Sequence, residues 1–329
     1  MTTNTTSALD IAPVHTCSDA QSDLDEARAQ FRDQLLAAGL LVSTGTPGLY
    51  GRSGTFEDIV DGIDRVVTAT GRATHDDADL PRFRFPAVLP RDSFEKTDYI
   101  ASFPNLTGAI STFTGGNREH RALLADRDAG RRWDGHLEPA GTMLVSAACH
   151  PLYSTLVGEM SAGGAVFDVY GFCFRHEPAI DPARMQAFRQ HEFVYVGNPE
   201  DAEAHRDLWI SRGLDVLHAL GLDASAEIAN DPFFGRAGKM LATNQVRENL
   251  KTELVVHLYG DLDEGTAVVS CNCHREHFGE NFGITTPDGE FAHSACVGFG
   301  MERIALGMLR QHGLNIQAWP SDIRELLGL

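Results

Sequence analysis

Two β-rich runs joined by a short loop decide the fold: residues 171–177 read GFCFRHE, and residues 185–196 read MQAFRQHEFVYV. Side chains alternate between the two faces of a strand, so Cys173, Arg175 and Glu177 share one face of the first run. One face of the returning run carries four residues: Phe188, Gln190, Glu192 and Val194. If the two faces coincide, an arginine, two acids and an aromatic ring lie on one surface. A solvated, salt-bridged hairpin with one core phenylalanine is the alternative.

Further β-rich runs follow from about residue 80 onward. We expect strands at residues 82–88, 142–148, 165–174, 188–196, 254–258, 267–271 and 291–297. Helical patterns do not separate these runs regularly, which disfavours a doubly wound parallel sheet. The sequence therefore predicts an α+β domain over residues 80–329, with helices packed on an antiparallel sheet and an insertion at about 223–253.

Helix signals bound four segments. Ser22 is a predicted N-cap, and Gly39 is a predicted C-terminal glycine of the same helix. Residues 55–70 and 301–311 also have helical patterns, and Asn198 followed by proline predicts a helix to about residue 220. Residues 1–20 are polar, which predicts a disordered tail. We therefore expect a short N-terminal helical segment at residues 21–79.

Composition limits the class of protein. The chain has 329 residues, with 27 Lys+Arg against 46 Asp+Glu and a net charge of −19. This acidity argues against broad contact with a nucleic acid backbone, because such affinity comes from neutralising phosphates. Without a long apolar run or a signal peptide pattern, we expect no membrane contact and a cytoplasmic protein. Its six cysteines are then predicted to be free thiols or metal ligands.

A second element, residues 296–309, reads CVGFGMERIALGML. It has the pattern of a strand, a glycine turn and a helix. Gly298 and Gly300 let the backbone approach a ligand closely. Arg303 lies in the first helical turn, where a positive charge opposes the helix dipole, so its position favours a bound anion.

The two elements resemble motifs of class II aminoacyl-tRNA synthetases. FRHE at residues 174–177, together with Phe188, is similar to motif 2, and GFGMER at residues 298–303 is similar to motif 3. The resemblance implies the antiparallel sheet flanked by helices of that class, binding ATP with Mg²⁺. It implies catalytic roles for Arg175 at the α-phosphate and Arg303 at the γ-phosphate. The implied ATP site comprises Arg175, Glu177, Arg184, Met185, Phe188, Ala267, Ser270 and Arg303.

One position departs from the synthetase pattern. The family commonly has a glutamate near the start of the stretch that begins at Ala267. The alanine leaves the geometry of the metal-bridged ATP open at this point.

Three residues on separate predicted elements have side chains that bind zinc: Cys149, Glu192 and Cys296. Their arrangement resembles that of the archaeal-type seryl-tRNA synthetases, and more closely that of their truncated relatives, the amino acid:[carrier protein] ligases. The resemblance implies one Zn²⁺ per subunit, which binds the amino group of the substrate. A competing zinc site is the cluster CNCHREH at residues 271–277, although its C-x-C spacing is unusual for zinc.

The same resemblance implies an acceptor other than tRNA. Carrier protein ligases activate a small amino acid, glycine or alanine, and transfer it to the phosphopantetheine arm of a small acidic carrier protein. We therefore expect no tRNA partner, and a homodimer in which residues 83–90 are the candidate motif 1. A seryl-type tRNA synthetase, a non-catalytic paralogue and a structural zinc protein remain alternatives.

The predicted insertion carries four basic residues at roughly helical intervals: Arg236, Lys239, Arg247 and Lys251. A basic surface is suited to an acidic partner. We expect these residues to form the docking region for the carrier protein, with an ordinary exposed face as the alternative.

Overall fold

The computed structural model describes residues 17–75, 80–229 and 250–329. Its α-helices are α1 Cys17–Ala37, α2 Gly54–Thr74, α3 Arg91–Glu95, α4 Tyr99–Ser102, α5 Asn117–Asp128, α6 His150–Tyr153, α7 Pro199–Ala219, α8 His277–Phe282, α9 Met301–His312 and α10 Ser321–Leu327. Its strands are β1 Leu41–Ser43, β2 Tyr50–Arg52, β3 Arg82–Phe83, β4 Val88–Pro90, β5 Ala109–Thr112, β6 Glu138–Leu144, β7 Gly158–Glu159, β8 Ala165–Phe174, β9 Ala187–Gly197, β10 Ala224–Ile228, β11 Lys251–Val256, β12 Thr266–Arg275, β13 Ile284–Thr285 and β14 His293–Gly300.

A seven-stranded sheet organises the molecule, in the order β10-β11-β12-β14-β9-β8-β3. Its neighbouring strands are antiparallel except β3, which pairs with β8 in parallel. The predicted α+β class with helices on an antiparallel sheet is confirmed.

The hairpin that decides the fold is formed by β8 and β9. Cys173 lies opposite Phe188 in the antiparallel register. Directly opposed residues point to the same side of a sheet, so the two predicted faces coincide. The other neighbour of β9 in the sheet is β14, and Glu192 lies opposite Gly298 of that strand. The predicted face therefore continues across the sheet.

Helices α1, α2, α7 and α9 cover one side of this sheet. Phe31 of α1, Ile59 of α2 and Trp209 of α7 belong to one buried apolar cluster with Phe299 of β14. The predicted N-terminal helical segment is thus part of the same core as the sheet. Its first helix begins at Cys17, earlier than the predicted start, and the remaining tail, residues 1–16, lies outside the described residues.

A second apolar cluster lies on the other side of the sheet. Here β4, β6 and β5 form a three-stranded sheet, and Leu89 and Met143 from it pack with Phe167 of β8. Residues 109–142, which include β5 and α5, contain no buried residue. We call residues 109–142 the excursion. Because it has no buried side chains, strand pairing rather than apolar packing mainly holds it to the rest of the fold.

The predicted insertion at about 223–253 lies only partly within the described residues. Its two ends form β10 and β11, which pair in antiparallel register. Both ends therefore belong to the main sheet, and residues 230–249 between them lie outside the described residues. Among the described helices, none combines the length and the apolar composition needed to cross a bilayer.

Candidate active site

A cavity of about 540 Å³ opens on the side of the sheet that the large helices leave free. Its floor consists of alternate residues from four adjacent strands. The floor residues are Phe188, Gln190 and Glu192 of β9, Cys296, Gly298 and Gly300 of β14, Ser270 and Asn272 of β12, and Lys251 and Glu253 of β11. The pleat of the sheet thus aligns the predicted motif residues on one surface.

Seven of the eight residues predicted to bind ATP line this cavity, and the eighth, Arg184, contacts one of them, Glu177. The Arg175 guanidinium lies 5.4 Å from the centre of the Phe188 ring, and Arg175 Nε donates to Ser146 O at 3.2 Å. Glu177 forms an ion pair with Arg184. Met185 is buried beside them, and Ala267 and Ser270 line the adjoining wall.

Arg303 faces the same end from the start of α9. Its Nε donates to Ala183 O at 2.8 Å and its Nη1 to Ala267 O at 2.9 Å. Burial, followed by the charges of Arg175 and Arg184, lowers the pKa of Arg303. Glu177 and Asp181 offset part of this effect. The guanidinium groups of Arg175 and Arg303 in one cavity could bind a polyanion such as a triphosphate.

The predicted zinc ligands meet at the other end. Ligand atoms of Cys149, Glu192 and Cys296 all lie within 4.8 Å of one another, and all three residues are buried. Cys149 N donates to Glu192 Oε1 at 3.3 Å. Within the described part of the chain, this is the group of histidine, cysteine and acidic residues that could hold a metal ion.

The three side chains of this cluster shift one another's pKa values. Burial, and then the charge of Cys296, raises the pKa of Glu192 to about 8. A hydrogen bond with Cys296 and burial raise the pKa of Cys149, whereas the same hydrogen bond lowers that of Cys296. Two thiols and a carboxyl group, all anionic when deprotonated, thus lie together in a buried place, where a divalent cation would offset their charge.

The donor set fits zinc. Thiolate sulfur and carboxylate oxygen are zinc ligands, and a site with three protein ligands keeps a position for a substrate. Neighbours orient the sulfur of Cys296: Asn272 Nδ2 and His274 Nε2 each lie 3.7 Å from it. His274 Nδ1 in turn lies 3.2 Å from Ser294 Oγ. Such outer contacts are typical of functional metal sites.

The competing cluster at residues 271–277 does not converge. Cys271 belongs to the apolar cluster on the helical side of the sheet, whereas Asn272, its neighbour, faces the cavity. Because alternate residues of β12 point to opposite sides, Cys271 and His274 cannot reach a common ion. The group therefore forms no zinc site of its own.

The predictions missed several cavity residues. Gln190 Oε1 accepts from Cys173 Sγ at 3.0 Å and from Ala148 N at 3.2 Å, so it ties β8 and the turn before α6 to β9. Its position on the predicted face of β9, between Phe188 and Glu192, could have identified Gln190 as a cavity residue from the sequence. The far wall is lined by residues without a motif: Thr97, Asp98, Tyr99, Ser102, Phe103, His150, His277 and Phe278.

Of the four predicted docking residues, Arg236, Lys239 and Arg247 lie outside the described residues. Lys251 is described, and because it is buried it belongs neither to an exposed docking region nor to an ordinary exposed face. It stands opposite Asn272 on the cavity side of β11, its side chain is 9% exposed, and its Nζ lies 2.9 Å from Glu253 Oε1. The register of β11 therefore places Lys251 in the cavity.

Comparison with known proteins finds two similar enzymes from Bradyrhizobium diazoefficiens. Amino acid–[acyl-carrier-protein] ligase 1 is 40% identical over 304 residues, which are 91% of this chain and 91% of that protein. Amino acid–[acyl-carrier-protein] ligase 2 is 41% identical over 296 residues, 89% of this chain and 87% of that protein. No family model matches the chain.

Among solved structures, M. kandleri SerRS in complex with A. aeolicus tRNASec superposes with a TM-score of 0.75 at 20% identity. The match covers 90% of this chain and 59% of that chain, so the described protein spans little more than half of that synthetase. The likeness confirms the predicted class II synthetase fold.

Proposed function

Because the chain belongs to the amino acid–[acyl-carrier-protein] ligase family and is therefore an enzyme, we propose that it activates a small amino acid with ATP and transfers it to a carrier protein. The observation that supports the proposal is one cavity that is lined by Arg175 and Arg303 as well as by the grouped side chains of Cys149, Glu192 and Cys296. The distance between them is spanned by one strand, β9, which places Phe188 at one end and Glu192 at the other.

The first step is attack of the amino acid carboxylate on the α-phosphorus of ATP. The bond to the bridging oxygen breaks, diphosphate leaves, and an aminoacyl-adenylate remains. Arg175 stabilises the charge that develops on the α-phosphate, Phe188 stacks on the adenine, and Arg303 binds the γ-phosphate. Mg²⁺ bound to ATP would supply positive charge to the leaving diphosphate.

Cys149, Glu192 and Cys296 would hold one Zn²⁺ per subunit, which supplies a Lewis-acid position for the substrate amino group. These residues then orient the amino acid with its carboxylate toward Arg175. The Cys149, Glu192 and Cys296 side chains that close this end are buried. A closed end of this kind favours the small substrates glycine and alanine.

In the second step, the thiol of a phosphopantetheine arm attacks the acyl carbon of the adenylate. A thioester forms and AMP leaves. The thiol proton passes to solvent or to the phosphate of the leaving AMP. We propose a small acidic carrier protein as the acceptor in place of tRNA. The net charge of −19 supports this choice, because wrapping of RNA requires a basic surface.

We further propose a cytoplasmic homodimer. The excursion at residues 109–142 has no buried residue in one subunit, and a second copy would cover it. The candidate motif 1, residues 83–90, instead supplies β3 and β4, and Phe83 and Phe85 pack within the subunit. ATP as a substrate and the five described cysteines, which are unpaired and buried, favour the cytoplasm.

The test is ATP–diphosphate exchange across a panel of amino acids. We expect exchange with glycine or alanine, and its loss in Arg175→Gln by about 100-fold or more. Arg212→Gln on the exposed side of α7 is the matched control and should retain exchange.

A purified carrier protein and tRNA are then offered as acceptors. We expect labelled amino acid on the carrier thiol and none on tRNA. Exchange with serine followed by transfer to tRNA would show a seryl-type synthetase, and no exchange with any amino acid would show a non-catalytic paralogue.

A further inference from the structure

The N-terminal segment, of which residues 17–75 are described, binds the loop between β8 and β9 through hydrogen bonds and an ion pair. Gln186 N donates to Gly48 O, and Gln186 Nε2 donates to Pro47 O, both at 2.8 Å. Arg28 Nε lies 3.4 Å from Asp181 Oδ2. None of the described residues 17–75 lines the cavity. This segment can therefore act on the nucleotide site only through the residues that it contacts.

Four charged side chains next to Phe188 form a closed circuit of ion pairs, which we call the charged ring: Arg52, Glu57, Arg189 and Glu302. Arg189 binds Glu57 through Nη1 at 2.5 Å and Nη2 at 3.2 Å. Arg189 Nε donates to Glu302 Oε1 at 2.7 Å. Arg52 completes the ring, with Nε 2.8 Å from Glu57 Oε1 and Nη1 3.2 Å from Glu302 Oε1.

The charged ring joins the two elements that carry the nucleotide-binding residues. Arg189 follows Phe188 in β9, and its backbone N–H also donates to Glu302 Oε2 at 2.7 Å. Glu302 precedes Arg303 at the start of α9. A single carboxylate thus fixes the backbone next to the stacking ring and the backbone next to the γ-phosphate arginine.

The surroundings make the charged ring rigid. The side chains of Arg189 and Glu302 are 8% and 2% exposed. Buried charge pairs interact strongly, and removal of one partner leaves an uncompensated charge. Glu57 reaches them from α2 and Arg52 from β2, so the N-terminal segment supplies half of the charges.

We propose that Glu57 and Arg52 are positioning residues of the nucleotide site, which set Phe188 and Arg303 relative to each other through Arg189 and Glu302. The inference rests on the proposed function in one respect, that ATP binds at this end of the cavity. It assigns the N-terminal segment a role in ATP binding without contact with ATP.

The test compares the effect of a substitution on ATP binding with its effect on the KM for the amino acid. In Glu57→Gln, the Kd for ATP measured by calorimetry and the KM for ATP in the exchange reaction should both rise about tenfold, while the KM for the amino acid changes by less than about twofold. Arg52→Lys should also raise both values, because a lysine cannot bind both carboxylates as a planar fork does. The rise should be smaller than in Glu57→Gln, because the lysine retains the positive charge.

Asp58→Asn is the matched control, since this neighbouring carboxylate on α2 is exposed. It should leave both KM values unchanged. Gly48→Ala perturbs the same loop at a second point, because a Cβ there would lie 3.1 Å from Arg184 O and from Gln186 Cγ at a φ of +76°. It should also raise the KM for ATP.

An unchanged Kd and KM for ATP in Glu57→Gln, or a lower melting temperature with no change specific to ATP, would overturn the inference. If the wild-type enzyme binds ATP and the variant weakens it, but no amino acid supports exchange, the inference stands and the proposed function fails. A wild-type protein that binds no ATP overturns both.

Discussion

At the scale of single residues, the two ends of the cavity carry ionisable side chains of opposite charge type. One end carries Arg175 and Arg303, and the other end carries Cys149, Glu192 and Cys296. The proposed ligands, a polyanion at the first end and a cation at the second, would offset the cost of burying these groups. Substrate and metal binding are therefore expected to stabilise the fold.

The metal proposal makes a prediction about two cysteines. Cys149→Ala or Cys296→Ala should each abolish bound zinc and lower amino acid activation by more than about 100-fold, because each removes a direct ligand. Zinc per subunit is measured by mass spectrometry and activation by diphosphate exchange.

Cys271→Ala is the control, because this buried cysteine lies on the helical side of the sheet. It should keep its zinc and its activity. A variant of Cys149 or Cys296 that is free of zinc but fully active would contradict the proposed role of the metal.

Residue positions on strands were predictable where alternation alone decides them. The faces of β8 and β9 were placed correctly because a period of two needs no tertiary information. Lys251 was grouped with a basic surface because it follows Arg236, Lys239 and Arg247 at roughly helical intervals. Its neighbours on β11 are buried, and only the sheet pairing shows that its side chain enters the cavity.

At the scale of secondary structure elements, capping signals located the long helix α7 well. Asn198 Oδ1 accepts from Asp201 N at 2.8 Å, as the predicted N-cap requires, and the helix ends at Ala219. By contrast, α5 was not predicted. This helix has no buried residue, so it lacks the apolar periodicity by which helices are recognised in a sequence.

Close contact between α2 and the sheet depends on one glycine. A Cβ at Gly71 would lie 2.2 Å from Phe193 Cζ. We expect Gly71→Ala to lower the free energy of unfolding by about 1–3 kcal/mol, because the helix must move away from β9. Urea denaturation monitored by circular dichroism measures the change.

Gly54→Ala at the start of the same helix provides the comparison. No heavy atom lies within 4 Å of a Cβ built there. This substitution should be neutral or slightly stabilising, and an equal loss for both variants would show that close packing at Gly71 is not the cause.

At the scale of the whole molecule, two motifs in the correct order were sufficient to predict the class II fold. The first motif lies on the hairpin of β8 and β9, and the second begins on β14, which pairs with β9, so their residue types are tied to the centre of the sheet. The excursion at residues 109–142 and the packing of the N-terminal segment carry no motif. Their places follow from tertiary contacts that a single sequence does not display.

The proposed acceptor is an acidic carrier protein, and its binding to this acidic chain leads to a prediction about charge. Arg236→Glu combined with Lys239→Glu should slow transfer to the carrier about tenfold and leave diphosphate exchange unchanged, because steering by charge affects only encounter with the partner. The transfer rate of the wild-type enzyme should also fall as salt is added.

Arg212→Glu, a charge reversal on the exposed side of α7, serves as the control and should not slow transfer. Equal loss of exchange and transfer in the double variant would contradict a docking role for residues 236 and 239.

The strand β9 also limits how the enzyme could change its substrate. Phe188 and Glu192 are four residues apart on one face, which corresponds to about 14 Å in an antiparallel strand. Hydrogen bonds to β8 and β14 on both sides fix that length. A longer amino acid cannot gain room along the strand, because a shift by one residue would exchange Glu192 for Phe193. New substrates can therefore evolve only through the side walls of the cavity, where single side chains can be replaced without moving the backbone.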